Sequence, residues 1–300
     1  MRLDEKVDFP PSHLTAVDSL IDFALAEDIG HGDITTESLD ISGRKGHGII
    51  RARQPLVLAG IGIACRVFKR LDPGVFFEAA CKDGEKVNAE TVLARLTGDT
   101  ASLLTAERTA LNFLQRLSGI ATHVRRFAET LQDEQVRLTD TRKTIPGLRI
   151  LEKYAVRVGG AWNHRMGLYD GVLIKDNHIA AAGGIESAVR RARARVHHLV
   201  SIEVEAASIE QVKEALEAGA DVIMLDNMDI DEIRDAVSII NKRALVEVSG
   251  GIRAEDLRHI AATGVDIISV GALTHSAVAV DISMDILPEN TAKSPGTAVA

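Results

Sequence analysis

VSIEVEAASIEQVKEALEAGADVIMLDNMDIDEIRDAVSIINKRALVEVSGGIRAEDLRHIAATGVDIISVG, residues 200–271, repeats one pattern almost four times. VSIEVE (200–205), ADVIMLD (220–226), ALVEVS (244–249) and DIISVG (266–271) are short β-branched runs. Between them apolar residues recur three and four apart, which predicts helices over 208–218, 229–241 and 254–263. A strand followed by a helix and another strand demands parallel pairing, with each crossover right-handed.

The same beat extends upstream. VRLTD (136–140) and GVLIKD (171–176) are two more strands, with a helix from Pro146 to about Val158 and another over 185–196. Six such units without a Gly-rich dinucleotide fingerprint favour a barrel over a doubly wound sheet.

The first hundred residues read differently. LTAVDSLIDFALAE (14–27) has helical spacing, and EDIGHGDITTE (27–37) reads as a capped turn leading into a strand rather than a metal site. Residues 46–100 are short extended pieces around a helix at 62–71, and Asp83-Gly84 is a hairpin turn signal. This is an α+β domain with an antiparallel sheet. Residues 102–131 are helical, with Gly119 expected to break them into two helices. DISMDIL (281–287) is expected to return to the first domain, and the tail PENTAKSPGTAVA (288–300) to be disordered. The expected division is therefore residues 1–117 joined by 278–287, a barrel over 118–277, and the tail.

Composition narrows the function classes. Aromatic residues are 3% of the chain and apolar residues 46%, so the core is aliphatic, as parallel sheets covered by helices require. A net charge of −8 argues against nucleic acid, which would want basic charge over a whole face. Cys65 and Cys81 show no metal spacing and read as reduced thiols of a cytoplasmic protein. No apolar leader opens the chain and no run is long enough to span a bilayer, so neither export nor a membrane partner is expected.

Within this acidic chain, residues 139–179 hold seven basic side chains: Arg142, Lys143, Arg149, Lys153, Arg157, Arg165 and Lys175. A local positive island in an acidic protein implies a small anionic ligand. Arg149, Lys153 and Arg157 have the spacing of a solvated helix face. Arg142, Lys143 and Lys175 instead abut strands. Each expected strand ends in a ligand-capable residue: Asp140-Thr141-Arg142-Lys143, Lys175, Glu205, Asp226, Glu247 with Ser249-Gly250-Gly251, and Val270-Gly271. In a barrel these ends share one rim, where active sites lie. The glycine-bearing ends SGG (249–251) and VG (270–271) are suited to a phosphate, because backbone N–H groups can approach it. Glu205 and Asp226 could serve a glycosidase, a metal or a ribose. A Schiff-base aldolase using Lys175 is a second enzyme class, weakened by the charge around that lysine.

These residues resemble a known family. TDTRKTIPGLRILEKYAVRVGGAWNHRMGLYDGVLIKDNHI (139–179), IEVEA (202–206), DVIMLDN (221–227), EVSGGI (247–252) and ISVGALTHS (268–276) are similar to quinolinate phosphoribosyltransferases, as are EDIGHGDITTE (27–37) and ERTALNFLQRLSGIAT (107–122). The resemblance implies an open α/β barrel of fewer than eight strands behind an N-terminal α/β sandwich. It implies transfer of phosphoribose from phosphoribosyl pyrophosphate to quinolinate with loss of CO2, with Mg²⁺ and no organic cofactor. It puts the quinolinate carboxylates on Arg142, Lys143, His164, Arg165 and Lys175, with Thr141 alongside. Glu205 and Asp226 fall on the ribose and Mg²⁺ side, and Ser249, Gly250, Gly251, Val270 and Gly271 on the 5′-phosphate. Lys143, Lys175, Glu205 and Asp226 are the implied catalytic set. A homodimer, or a hexamer built from it, is implied, with Arg108 reaching in from the partner subunit.

Overall fold

The computed structural model describes residues 11–131 and 135–288. The N-terminal arm to Pro10 and the tail beyond Pro288 lie outside the described residues, so the expectation of a disordered tail does too. The chain divides into two compact units, one reaching to Gly119 and resuming at Val278, the other Ile120–Ala277.

The first unit opens with α1 (Leu14–Ile29) and α2 (Ile34–Ser38), where a turn into a strand was expected. Asp33 makes the difference, accepting the Thr36 N–H at 3.0 Å as the helix N-cap. The strands β1 (Lys45–Ala52) and β2 (Leu56–Val57) precede α3 (Ile61–Leu71). Next come β3 (Phe76–Ala79), β4 (Lys86–Val87) and β5 (Val92–Asp99). The expected hairpin around Asp83-Gly84 does not form: β3 pairs with β5 and β4 with β2. Asp83 is engaged elsewhere, accepting the N–H groups of Gly60 (2.8 Å) and Ile61 (3.0 Å) at the start of α3.

α4 (Thr100–Thr130) is one unbroken helix of 31 residues, against the expected break at Gly119. Gly119 is there for space. A Cβ at this position would lie 2.2 Å from the carbonyl oxygen of Val278. The glycine admits a crossing chain without ending the helix, which its modest propensity cost permits.

The second unit is the repeat read from residues 200–271, extended upstream. Its elements are β6 (Arg137–Thr139), α5 (Arg149–Gly159), β7 (Val172–Ile174), α6 (Asp176–Ala182), α7 (Ile185–Arg193), β8 (Ile202–Ala206), α8 (Ile209–Glu217), β9 (Val222–Asp226), α9 (Ile230–Ile240), β10 (Leu245–Ser249), α10 (Leu257–Ala261), β11 (Ile267–Ser269) and α11 (Ala272–His275). Helix α6 was not foreseen, and α5 starts three residues past Pro146 because Gly147 is left-handed at φ +83°. All six strands are parallel, in the order β6-β11-β10-β9-β8-β7, so the barrel is open, with β6 and β7 at its ends. Val246, Val248, Ile223, Leu225, Ile202 and Val204 are buried on the face that the helices cover. Burying aliphatic side chains of this size stabilises by roughly 1.5–3 kcal/mol each. Finally β12 (Ile282–Pro288) pairs antiparallel with β1, completing a sheet of order β12-β1-β5-β3 in the first unit.

Candidate active site

Strand register decides which side chains face the barrel interior. Leu173 pairs with Glu203, Glu205 with Met224, Glu247 with Met224 and Ile267, Ser249 with Asp226, and Thr139 with Ser269. Side chains alternate along a strand, so paired residues share a face. Glu203 and Glu205, Met224 and Asp226, and Glu247 and Ser249 therefore line the concave side in two layers. The upper layer sits at the C-terminal ends of the strands.

In that upper layer the expected residues meet pairwise. The Lys175 ammonium donates to Glu205, bridging the ends of β7 and β8. Asp226 and Ser249 are register partners. Asn227 follows Asp226 with φ +56°, and its side-chain amide donates to Asp226 Oδ2 at 2.8 Å. A Cβ on Gly250, which is left-handed at φ +103°, would fall 2.3 Å from Asn227 Oδ1. At Gly271 a Cβ would come within 2.8 Å of Lys143 Cδ, so Lys143 after β6 and Gly271 after β11 are neighbours. The Thr274 hydroxyl secures this join by donating to the Lys143 carbonyl at 2.7 Å. Thr141 accepts the Lys143 N–H at 3.1 Å, and the buried Val270 donates its N–H to the Thr139 carbonyl at 2.9 Å.

Arg142 and Lys143 are exposed, while Arg165 is half-buried and its guanidinium donates to the Gly171 carbonyl at 2.8 Å. Burial, then repulsion from Arg142, lowers the Arg165 pKa. A cavity of about 470 Å³ adjoins Ser249, Gly250 and Gly251 and runs beneath Met228, Ile233 and His259. A larger groove of about 660 Å³ lies between α7 and α8 and touches none of the strand-end residues. Arg108 is exposed on α4 in the first unit.

In the lower layer the sequence singled out His164 and Glu247 but missed Glu203. His164 Nε2 lies 3.2 Å from Glu203 Oε2 and 3.5 Å from Glu247 Oε1, with its side chain 14% exposed. Burial alone would pull the imidazole down; the hydrogen bonds and charges of Glu203 and Glu247 outweigh it and push its pKa up to about 10. The Arg165 N–H also faces Nδ1 at 2.7 Å, which asks that nitrogen to accept. The two carboxyl groups within 3.5 Å of Nε2 favour the protonated ring and the Arg165 N–H opposes it, and the carboxyl groups set the direction of the shift. Burial, followed by the His164 and Glu247 contacts, leaves the Glu203 carboxyl with a raised pKa. Glu203 was legible: period-two alternation in VSIEVE puts it on the face of Glu205.

Lys153 was expected on a solvated face and is instead fully buried in an ion pair, its Nζ 2.5 Å from Asp140 Oδ1. Nearly all of α5 is buried, because α11 and the end of α4, through Ala121 and Val124 against Gly159, pack on it as well. Asp140 follows Thr139 and so points outward, toward that helix. Burial pushes the Asp140 pKa up and the Lys153 pKa down. Asp140 nonetheless accepts only from donors, Lys153, Asn163 Nδ2 (2.8 Å) and the His164 N–H (2.8 Å), which fits an ionised carboxylate. His178 has a capping role, its Nδ1 accepting the Lys175 N–H at 3.0 Å at the start of α6. His197 and His198 are exposed.

The aldolase reading loses its basis here. Lys175 is 44% exposed and ion-paired, the opposite of the desolvated amine that a Schiff base needs. No helix among the described residues is long and apolar enough to cross a membrane.

Comparison with known proteins identifies the family and the fold. Residues 33–118 match the N-terminal domain of quinolinate phosphoribosyl transferase, and residues 120–285 match its C-terminal domain. A probable nicotinate-nucleotide pyrophosphorylase (carboxylating) of Bacillus subtilis is 47% identical over 271 residues, covering 90% of this chain and 93% of that one. The chloroplastic nicotinate-nucleotide pyrophosphorylase (carboxylating) of Arabidopsis thaliana is 40% identical, covering 92% of this chain and 85% of that one. The crystal structure of NadC from Streptococcus pyogenes superposes with a TM-score of 0.89 at 39% identity, covering 95% of this chain and all of the other. With both domains matched in order and most of the chain aligned at this identity, this chain belongs to the quinolinate phosphoribosyl transferase family.

Proposed function

We infer that this chain transfers phosphoribose from phosphoribosyl pyrophosphate to the ring nitrogen of quinolinate, with loss of CO2. The products are nicotinate mononucleotide, pyrophosphate and CO2, a step of de novo NAD synthesis. The observation that carries it is the gathering of cations and carboxylates on one barrel end, with Lys175 bonded to Glu205 between them.

Quinolinate is a dianion, and Arg142, Arg165, Lys143, Lys175 and cationic His164 are the groups to neutralise it, the arginines through bidentate forks. Glu205 and Asp226 face the ribose. As the pyridine nitrogen attacks C1′ and pyrophosphate leaves, positive charge on the sugar is stabilised by these two anions. The bond between C2 and its carboxylate then breaks, its electron pair staying on C2 beside the cationic ring nitrogen as CO2 departs, and a proton from solvent takes the vacated position on C2. The chain holds two like-charged substrates together and screens their repulsion. Gly250 and Gly251, left-handed at φ +103° and +58°, follow Ser249 in a turn whose main-chain N–H groups suit a 5′-phosphate, with Gly271 on the neighbouring strand end.

Mg²⁺ fits the carboxylates Glu205 and Asp226. They are hard oxygen donors that do not close a cage of their own, as suits an ion held largely by water and substrate phosphates. When bound it would neutralise the pyrophosphate charge. Among the described residues the cluster with ligand atoms close together is His164, Glu203 and Glu247, and we assign it to charge pairing.

We further propose a homodimer, in which exposed Arg108 completes the partner's quinolinate pocket, and a cytoplasmic location. The dimer reading rests on the family, as does the possibility of dimers stacking into hexamers. The location rests on free thiols at Cys65 and Cys81.

The test is purified protein with Mg²⁺, quinolinate and phosphoribosyl pyrophosphate. CO2 and nicotinate mononucleotide should appear in equal amounts, and nicotinic acid should not replace quinolinate. Turnover of nicotinic acid alone would overturn the substrate assignment.

A further inference from the structure

His164 and Arg165, which the proposed function gives to quinolinate, lie in an irregular segment between α5 and β7, and irregular segments do not hold side chains by themselves. Here both backbone polar groups of His164 are taken. Its N–H donates to Asp140 Oδ1 at 2.8 Å, and its carbonyl accepts from Lys153 Nζ at 2.8 Å. Asn163 ties the same knot, donating to Asp140 Oδ2 at 2.8 Å and to the Lys153 carbonyl at 2.9 Å. Asp140 and Lys153 themselves have fully buried side chains, 0% exposed, and bond to each other.

We propose that Asp140, Lys153 and Asn163 are positioning residues for quinolinate, acting through the backbone of His164 and Arg165. The Asp140 carboxylate lies on the helix-facing side of the sheet and does not face the barrel interior, so it works on the pocket from behind. Fixing both peptide planes flanking His164 sets the direction of its Cα–Cβ bond, and the next Cα–Cβ bond is that of Arg165. A shift of about 1 Å in such groups is enough to lower turnover about a hundredfold.

The alternative is that the pair merely glues α5 to β6. A buried ion pair is poorly suited to that task, since apolar residues of similar volume often do it as well or better. What an apolar pair would lack is the ability to bond a main-chain N–H and a main-chain carbonyl at once. The polar pair makes sense if the conformation of residues 163–165 is what it secures.

The inference rests on the quinolinate reading, and the experiment separates the two. The double variant Asp140→Leu/Lys153→Met keeps an apolar contact between β6 and α5 and removes the bonds to His164. Its melting temperature checks folding. We expect quinolinate KM to rise about tenfold or more, with phosphoribosyl pyrophosphate KM within about twofold of wild type. Asn163→Ala, which leaves the ion pair in place and removes two hydrogen bonds, should show the same split at about threefold to tenfold. It decides the matter should the double variant fail to fold. Isothermal titration with quinolinate gives its binding directly, apart from turnover. Unchanged quinolinate KM in the folded variants, or equal rises in both KM values, would overturn the positioning role. Absence of quinolinate turnover in the wild type would instead overturn the functional reading.

Discussion

Lys175 and Glu205, which belong to the acceptor side and the sugar side of the proposed reaction, are bonded to each other in the free protein. Neither the cation nor the carboxylate is idle before substrate arrives. The pair keeps each from an alternative partner and holds the ends of β7 and β8 in place. On the proposed reading, binding of two anionic substrates is expected to exchange this bond for contacts on either side of it. Lys175→Met and Glu205→Gln should each lower kcat/KM about 10²–10³-fold, the scale for removing one transition-state electrostatic contact. Their effects should be clearly less than multiplicative in the double variant. Multiplicative effects in steady-state kinetics would show that the bond has no functional coupling.

Arg142 is exposed and lies near enough to Arg165 to lower its pKa, and the proposed reading gives both to one quinolinate carboxylate. Arg142→Lys keeps the charge and loses the fork. It should raise quinolinate KM and lower turnover together, whereas phosphoribosyl pyrophosphate KM should hold. Wild-type kinetics in this variant would remove Arg142 from the pocket.

The His164 ring has a folded-state pKa of about 10, against about 6.5 for an unfolded chain. A pKa raised by folding stabilises fully below the unfolded value and ceases to do so as pH passes the folded one. The melting temperature of wild type should therefore exceed that of His164→Gln by most near pH 6. The gap should narrow as pH climbs toward 10. A gap independent of pH would mean that the ring is not held cationic by Glu203 and Glu247.

Gly250→Ala combines a left-handed φ of +103° with a Cβ 2.3 Å from Asn227 Oδ1. The variant should lose about 1–3 kcal/mol of stability from backbone strain. Its phosphoribosyl pyrophosphate KM should rise more than its quinolinate KM, because the glycine adjoins Ser249. The reverse order would move the phosphate elsewhere.

Gly119→Ala tests the fold alone. Its Cβ would sit 2.2 Å from the Val278 carbonyl oxygen. The usual gain from replacing a helical glycine should be reversed, with a loss of about 1–3 kcal/mol by denaturant unfolding. An unchanged or higher stability would mean that the crossing chain yields easily.

Periodicity alone was enough for the parallel barrel and for the strand-end positions of Lys175, Glu205, Asp226 and Ser249. A strand's period of two and a helix's of 3.6 are written locally in residues 200–271. The pattern did not carry through α4, because whether Gly119 ends a helix depends on Val278, far along the chain. Asp83 shows the same limit: a turn signal by composition, it caps α3 instead, using N–H groups that no local reading supplies.

The chain's own order of residues thus determined the alternation, the barrel, and the residue types at each strand end, since these follow from neighbours a few positions apart. Only the tertiary structure decided that Lys153 is a buried cation rather than a solvated one, and that His164 sits between Glu203 and Glu247. Both depend on charges brought together across the sheet. The free energy of an ion depends on its surroundings far more than on its position in a helical repeat.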